Sequence, residues 1–115
     1  MRLDMGRLLL LVLMLLPSLG MESKAETLPS LNPRQTIIEA HQHLVADGWQ
    51  PSPAQQPSAA ERRWAAVPLE SLSACSGTGV GFCRFDYQRN AQRLSVVTVP
   101  SEPGQPSVGR VDRWW

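Results

Sequence analysis

The first 25 residues decide how much of the chain is left to fold and in what surroundings. Arg2 and Arg7 precede an unbroken apolar run, 8–16, and a stretch rich in small residues ends with Ser23 and Ala25. A positive start, an apolar centre and a small-x-small end are the layout of a secretory signal peptide. We therefore predict that residues 1–25 are a signal peptide cleaved after Ala25, and that the protein is exported to the periplasm or secreted.

The sequence leaves two alternatives to this cleavage open. Cleavage after Gly20 would also leave a small residue, Ser18, at the −3 position. The other alternative is an uncleaved membrane anchor, but a helix needs about 20 apolar residues to cross the hydrocarbon core of a bilayer. The uninterrupted run holds nine residues, and Pro17 ends it. We therefore predict no stable membrane span after cleavage.

Cleavage after Ala25 leaves 90 residues, which suffice for one domain. We predict a flexible lead-in over 26–32 and a single domain over 33–115. These 90 residues carry eight arginines, no lysine and eight acidic residues, so their net charge is zero. Domains that bind nucleic acids usually carry a strong basic excess, and we therefore predict no nucleic-acid partner.

The first half of the domain predicts one amphipathic helix. Asn32 and Pro33 are typical of a helix start, and Gly48 is typical of a helix end. Between them the apolar residues recur at spacings of three, four and seven, as on one face of a helix: Ile37, Ile38, Ala40, Leu44 and Val45. After this helix, 49–51 fits a short edge strand, and 61–72 fits either a strand or a helical turn.

The C-terminal third predicts antiparallel strands. Cys83, Phe85 and Tyr87 alternate with polar residues, which is the period of a half-buried strand. A polar turn, 89–92, leads to a returning strand over 94–99, and a proline-containing loop leads to a last strand over 108–115. The predicted fold class is therefore α+β, with one N-terminal helix packed on a small three- to four-stranded antiparallel meander.

Cys75 and Cys83 are the only cysteines, and three glycines lie between them. In an exported chain a close and even pair predicts a disulfide. A redox pair has two residues between its cysteines, whereas seven lie between these. Free or transient thiols are the alternative, and a zinc site is disfavoured because only two histidines are present to complete it. The glycine-rich turn also lacks the Lys-Ser/Thr ending of a phosphate-binding loop.

No pattern in the chain is typical of a catalytic, cofactor-binding or metal-binding site. His41 and His43 lie two positions apart, so a helix sends them to different faces, whereas a spacing of four would bring them together. Ser76 lies outside any Gly-x-Ser-x-Gly motif, and no motif supports a triad of Ser76, His41 and Asp86. We therefore predict no cofactor, and an enzyme is disfavoured.

The C-terminus supplies the candidate interface, which consists of Arg113, Trp114 and Trp115. Successive side chains of a strand point to opposite faces, so we predict that one of the two tryptophans packs inward and the other is exposed beside Arg113. Exposed tryptophan and arginine side chains are frequent anchors of protein interfaces. The alternative is that both tryptophans only cover the edge of the sheet.

From Cys75 to Tyr87 the chain reads CSGTGVGFCRFDY. In this stretch, in Gly48-Trp49 after the helix, and in the Val/Thr-rich strand before a terminal Trp, the chain resembles a group of uncharacterised small exported bacterial proteins, chiefly of photosynthetic bacteria. The resemblance spans about 33–115. It implies the same disulfide and the same fold, and it implies no activity, ligand or catalytic residue.

These features together favour a non-enzymatic exported module that binds another protein or an envelope component. The alternative is a small envelope enzyme or a thiol-active accessory protein, which would need a reactive Cys75 or Cys83. Thiol labelling without denaturant separates the two hypotheses, because a disulfide resists the label and a free thiol takes it up.

Overall fold

A computed structural model describes residues 28–76 and 81–115. They form, in chain order, α1 (Ile37–Ala46), β1 (Gln50–Pro51), α2 (Ala59–Ala65), β2 (Leu72–Cys75), β3 (Cys83–Arg89), β4 (Gln92–Pro100) and β5 (Gly109–Trp114). The fold class is α+β as predicted, and Cys75 and Cys83 form the predicted disulfide. The predicted signal peptide lies outside the described residues.

Helix α1 begins later than the sequence predicts and ends where it predicts. Its cap is Thr36, because the Glu39 N–H donates to Thr36 Oγ1 at 3.1 Å and Glu39 Oε1 accepts from the Thr36 N–H at 2.9 Å, a reciprocal capping box. Asn32 instead opens a turn, in which Arg34 adopts a φ of 76° that a helix does not allow. Gly48, with a φ of 92°, ends the helix in the left-handed conformation that glycine favours there.

Helix α2 occupies the segment that the sequence left open between a strand and a helical turn. Its cap is Ser58, whose Oγ accepts from the Glu61 N–H at 3.1 Å. The Glu61 carboxylate accepts from the Ser58 N–H at 2.7 Å and from the Cys75 N–H at 2.9 Å. One side chain therefore caps α2 and ties it to β2, a strand that the sequence analysis did not predict.

The sheet is antiparallel throughout, and β3 lies at its centre. β4 pairs with one edge of β3, from Cys83 opposite Thr98 to Arg89 opposite Gln92, and β5 pairs with the far edge of β4. β2 and β1 share the other edge of β3. The predicted strands over 83–115 are confirmed, but the sheet has five strands rather than three or four, because the two- and four-residue strands β1 and β2 extend it.

One face of the sheet, the inner face, packs against α1. The buried apolar side chains at this interface come from three strands and from α1: Phe85, Tyr87, Leu94, Val96, Val111, Ile37, Ala40 and Leu44. Trp49 and Leu31, the latter within the predicted lead-in, are buried in the same core. Because side chains alternate along a strand, the residues between the inner ones on β3 and β4 point to the opposite face, which we call the outer face.

Candidate functional site

The outer face carries a row of four residues that crosses four strands. Ala74 on β2 is opposite Arg84 on β3. Val97 on β4 lies between two arginines, since it is opposite Arg84 on one side and opposite Arg113 on β5 on the other. Neighbouring strands lie about 4.8 Å apart, so about 10 Å separates the backbones of Arg84 and Arg113. We call these four residues the arginine row.

A buried carboxylate in the next row of the outer face holds Arg84 in place. Asp86 is 4% exposed, and its carboxylate accepts from Arg84 Nε at 3.0 Å, from Ser95 Oγ at 2.5 Å and from Ser73 Oγ. Burial acts to raise the pKa of Asp86, but the three donors outweigh it and hold that pKa below its ordinary value. The carboxylate is therefore ionised at neutral pH and fixes the arginine beside it.

Both arginines of the row keep hydrogen-bond donors that no described residue accepts from. Within the described ranges, the hydrogen bonds of the Arg84 guanidinium involve Nε alone. The Arg113 guanidinium lies 5.8 Å from the centroid of the Trp115 ring, and no described residue accepts a hydrogen bond from it or pairs with its charge. A guanidinium offers five N–H donors, so each of these side chains keeps donors for a further acceptor. The charge of Arg84 is paired with Asp86, whereas that of Arg113 has no counter-charge among the described residues.

A shallow cleft of about 280 Å³ lies on the arginine row. Phe82, which is 40% exposed, stands at one side of it. Arg84 and Arg113 supply its charged walls, and its other lining residues are mostly apolar: Ala74, Cys75, Ser76, Phe82, Cys83 and Val97. We call it the row cleft, and its chemistry suits an anion that carries an apolar group.

The three residues of the predicted interface lie at one end of this surface. Trp114 is half-buried and packs against the core, whereas Trp115 is 55% exposed beside Arg113. The two rings therefore point to opposite faces, as alternation along a strand requires. That these residues bind a partner stays a prediction.

A series of side-chain hydrogen bonds on the inner face was not predicted from the sequence. Ser71 Oγ donates to the Tyr87 hydroxyl at 3.0 Å, and that hydroxyl lies 2.9 Å from Nδ1 of His41 on α1. Burial raises the pKa of Tyr87 to about 12 and lowers the pKa of His41. Ser71 and Tyr87 are fully buried and His41 is half-buried, and these hydrogen bonds join α1 to the sheet.

The structure does not assemble the catalytic and metal-binding sets that the sequence analysis weighed. His41 contacts Tyr87 on the inner face, whereas Asp86 belongs to the outer face, so a triad of Ser76, His41 and Asp86 is not formed. His43 is exposed on α1. No group of three or more potential metal ligands occurs among residues 28–76 and 81–115.

The disulfide joins the first residue of β3 to the last residue of β2. The two sulfurs are 2.04 Å apart, and both cysteines of the chain are used in this bond. A thiol-active role would require the bond to open, and Cys75 is the more accessible of the two half-cystines.

Sequence reasoning missed Arg84, Val97 and Phe82 as members of a site. The alternation over 83–87 already places Arg84 and Asp86 on one face of a strand. Nothing local, however, indicates that Val97 and Arg113 lie opposite Arg84, because strand register depends on pairing between distant segments.

Comparison of the chain with known protein families, with curated proteins and with solved structures finds no match. In the part of the chain that the structure describes, neither helix has the length and apolar character needed to cross a membrane.

Proposed function

We propose that the protein is an exported, non-enzymatic binding module that engages another protein through the outer face of its sheet. The observation that carries the proposal is the combination of exposed Phe82 and Trp115 with Arg84 and Arg113, whose guanidiniums keep unused donors. Aromatic and arginine side chains supply most of the binding energy at protein interfaces, and a folded domain rarely collects them on one open face by chance.

The charge of this surface favours a protein partner over a nucleic acid or an anionic membrane. By register, the outer-face positions of β3, β4 and β5 carry four arginines, Arg84, Arg93, Arg110 and Arg113, against the buried Asp86. Arg84 is paired with Asp86, and Arg110 donates to the carbonyl of Arg34. Nucleic-acid binders show an extended basic surface, and anionic membranes are bound by clusters of about four to eight basic residues. Because Arg84 and Arg110 already have partners within the protein, the remaining positive charge among aromatic and aliphatic side chains suits a local acidic and apolar patch of a protein.

The export part of the proposal rests on the N-terminal segment and on the disulfide. Arg2, Arg7 and the apolar run 8–16 have the layout of a secretory signal peptide, and disulfides persist mainly in oxidising compartments. We expect the protein purified from its producer to have lost residues 1–25 and the two thiol hydrogens. An intact leader with free thiols in the mass spectrum would overturn this part.

Site-specific photo-crosslinking in the producing cell tests the binding part. A benzophenone amino acid at position 82, in place of Phe82, should give a discrete adduct in which mass spectrometry identifies a second protein. The matched control is the same amino acid in place of Val45, an exposed apolar residue of α1 that is 46% exposed. Equal adducts at both positions, or none at position 82, would contradict binding through the outer face.

A further inference from the structure

We infer that the row cleft binds the C-terminal carboxylate of a partner chain whose last residue is apolar. This inference rests on the proposed function, because it names the feature of a protein partner that the outer face recognises. It is carried by the register that places two arginines on either side of Val97, by the size and lining of the cleft, and by a comparison between two arginines of this chain.

Arg89 shows how this fold satisfies an arginine that has a structural role. Its guanidinium lies 4.6 Å from the centroid of the Trp49 ring. Its Nη1 donates to the carbonyl of Asp47 at 3.1 Å and to Oδ2 of the same residue at 3.0 Å, and its Nη2 donates to Gln92 Oε1 at 3.3 Å. Stacking and hydrogen bonds together hold α1 to the end of β3.

Arg113 has the stacking of Arg89 without its acceptors. It lies 5.8 Å from the centroid of the Trp115 ring, and no carboxylate, carbonyl or amide oxygen of the described chain accepts from it. Stacking keeps a guanidinium in one orientation while leaving its edge donors available. The N–H donors of Arg113 are therefore available to an acceptor outside the described chain.

A carboxylate is the acceptor that this geometry fits best. A guanidinium binds a carboxylate through two parallel N–H···O bonds, and Arg84 and Arg113 stand on either side of Val97. Val97 lies one strand spacing, about 4.8 Å, from each of them. Val97 is 7% exposed and Phe82 is 40% exposed, so the apolar group of a ligand meets chiefly the Phe82 side of the cleft. A ligand whose carboxylate and apolar group are close together can reach a guanidinium and this apolar side at the same time.

The last residue of a polypeptide satisfies that condition. Its carboxylate and its side chain are attached to the same Cα, whereas an acidic side chain within a segment presents its carboxylate at the end of its own arm, without an apolar group on the same carbon. The row cleft, at about 280 Å³, is slightly smaller than the range of about 300–1,000 Å³ typical of ligand pockets. It holds one residue rather than a length of chain, and Phe82 lines one side of it.

Titration of the isotope-labelled, disulfide-bonded protein with defined peptides tests the inference by NMR. The probes are acetyl-Gly-Ser-Gly-Leu as the free acid, the same peptide as the C-terminal amide, acetyl-Gly-Ser-Gly-Ser as the free acid, and an amidated peptide with an internal glutamate. We expect the leucine acid to give saturable shifts in the amides of Cys83, Arg84 and Val97 and in the Nε–H signal of Arg113. Loss of a charge-assisted bond should weaken binding about tenfold or more for the amide.

Two matched variants assign the effect to the row cleft. Arg113→Gln should weaken the leucine acid about fivefold to tenfold, since one of two guanidiniums is lost. It should not unfold the protein, because Arg113 has no acceptor among the described residues. Arg63→Gln removes the same charge from an exposed position of α2 and should leave the affinity unchanged. Equal binding of acid and amide, equal effects of the two variants, or no saturable shift with the leucine acid would each overturn the inference.

The outcomes also separate this inference from the proposed function. Crosslinks at position 82 together with a failed peptide titration would keep protein binding and remove the C-terminal carboxylate as its target. Specific peptide binding without crosslinks in the cell would keep the chemistry of the row cleft and remove the proposed function. If vesicles of phosphatidylglycerol sediment the protein and the peptides do not shift its signals, a lipid phosphate is the ligand and the inference is wrong.

Discussion

The inner and outer faces of one sheet treat their polar groups in opposite ways. On the inner face, the Tyr87 hydroxyl is hydrogen-bonded to Ser71 Oγ and lies within hydrogen-bond distance of Nδ1 of His41 on α1. On the outer face, Asp86 is satisfied by three donors, but Arg84 and Arg113 retain donors that no described residue uses. The inner face keeps one buried donor without a partner among the described residues, Trp49 Nε1, whereas the outer face exposes charged donors that no described residue uses.

The same residue type can therefore serve as a structural contact in one place and as an exposed group available for binding in another. Arg89 and Arg113 both stack on a tryptophan ring, yet only Arg89 also meets the acceptors of Asp47 and Gln92. A charged group whose partners are supplied by the fold contributes to stability. One whose partners are absent contributes little to stability and is available for recognition.

The two phenylalanines of the chain give the largest expected contrast between the faces. Phe85 is 1% exposed on the inner face and Phe82 is 40% exposed beside the row cleft. Phe85→Ala should lower the free energy of unfolding by about 3–5 kcal/mol, because it removes a buried ring and leaves a cavity. Phe82→Ala should change it by less than about 0.5 kcal/mol.

Urea unfolding monitored by tryptophan fluorescence measures both changes. Comparable losses for Phe82→Ala and Phe85→Ala would contradict the division of the sheet into a buried and an open face.

The disulfide should give the next largest effect, because it pins β2 to β3 at one end of both faces. Closing a loop of nine residues between Cys75 and Cys83 stabilises the fold by about 2.5 kcal/mol in the chain-entropy account. Replacing both cysteines by serine should lower the urea midpoint accordingly. Each single replacement should match the double one if the bond itself is responsible, and a stability equal to that of the unaltered chain would refute its structural role.

Arg89 and Arg113 give a smaller expected contrast in stability, because one has acceptors in the described chain and the other has none. Arg89→Gln should cost about 1–2 kcal/mol, since it removes hydrogen bonds between a charged donor and the end of α1. Arg113→Gln should cost less than about 0.5 kcal/mol, because its side chain lacks acceptors in the described chain. Thermal unfolding of the two variants under identical conditions tests this order, and the reverse order would show that Arg113 is a structural residue.

One titrating residue on each face should contribute to the stability of the fold, and the two contributions should be lost at different pH values. The pKa of His41 is lowered by burial, so the unfolded chain takes up this proton first. The contribution of His41 is complete above about pH 6.5 and is lost as the pH falls below that value. The pKa of Asp86 is also lowered, and its contribution is lost only as the pH falls below about 3.9.

Unfolding midpoints measured between pH 8 and pH 3 should therefore show two steps. His41→Gln should remove the step near neutrality and keep the acidic one, while His43→Gln, an exposed control, should keep both. A near-neutral step that survives His41→Gln would show that another group is responsible.

Local patterns in the sequence were sufficient for much of the fold. The alternation of Cys83, Phe85 and Tyr87 predicted β3, and Gly48 predicted the end of α1, because both depend on neighbouring residues alone. The start of α1 was misplaced because Asn32 with Gln35 and Thr36 with Glu39 both have the capping-box signature. The Asn32 N–H does donate to Gln35 Oε1, but the positive φ of Arg34 keeps this segment out of the helix. The same signature at Ser58 and Glu61 would have identified α2.

The candidate site could be predicted from the sequence only in part. The sequence placed Arg113 and Trp115 near an exposed end of the last strand, but it could not connect them with Arg84, Val97 and Phe82. These residues come from different strands, and register is set by the burial of one whole face. Gly109 is a further case: a side chain there would meet Thr98 on the paired strand, and nothing near Gly109 in the sequence indicates this.

The sequence by itself thus determined the α+β class, the strand periods over 83–99, the end of α1 and the pairing of Cys75 with Cys83, since each is read from residues near one another in the chain. Only the tertiary structure decided that two arginines flank Val97 across three strands, that Asp86 holds one of them, and that neither is fully satisfied. The physical reason is that hydrogen-bond satisfaction is a property of neighbours in space, and those neighbours are set by the packing of the inner face against α1.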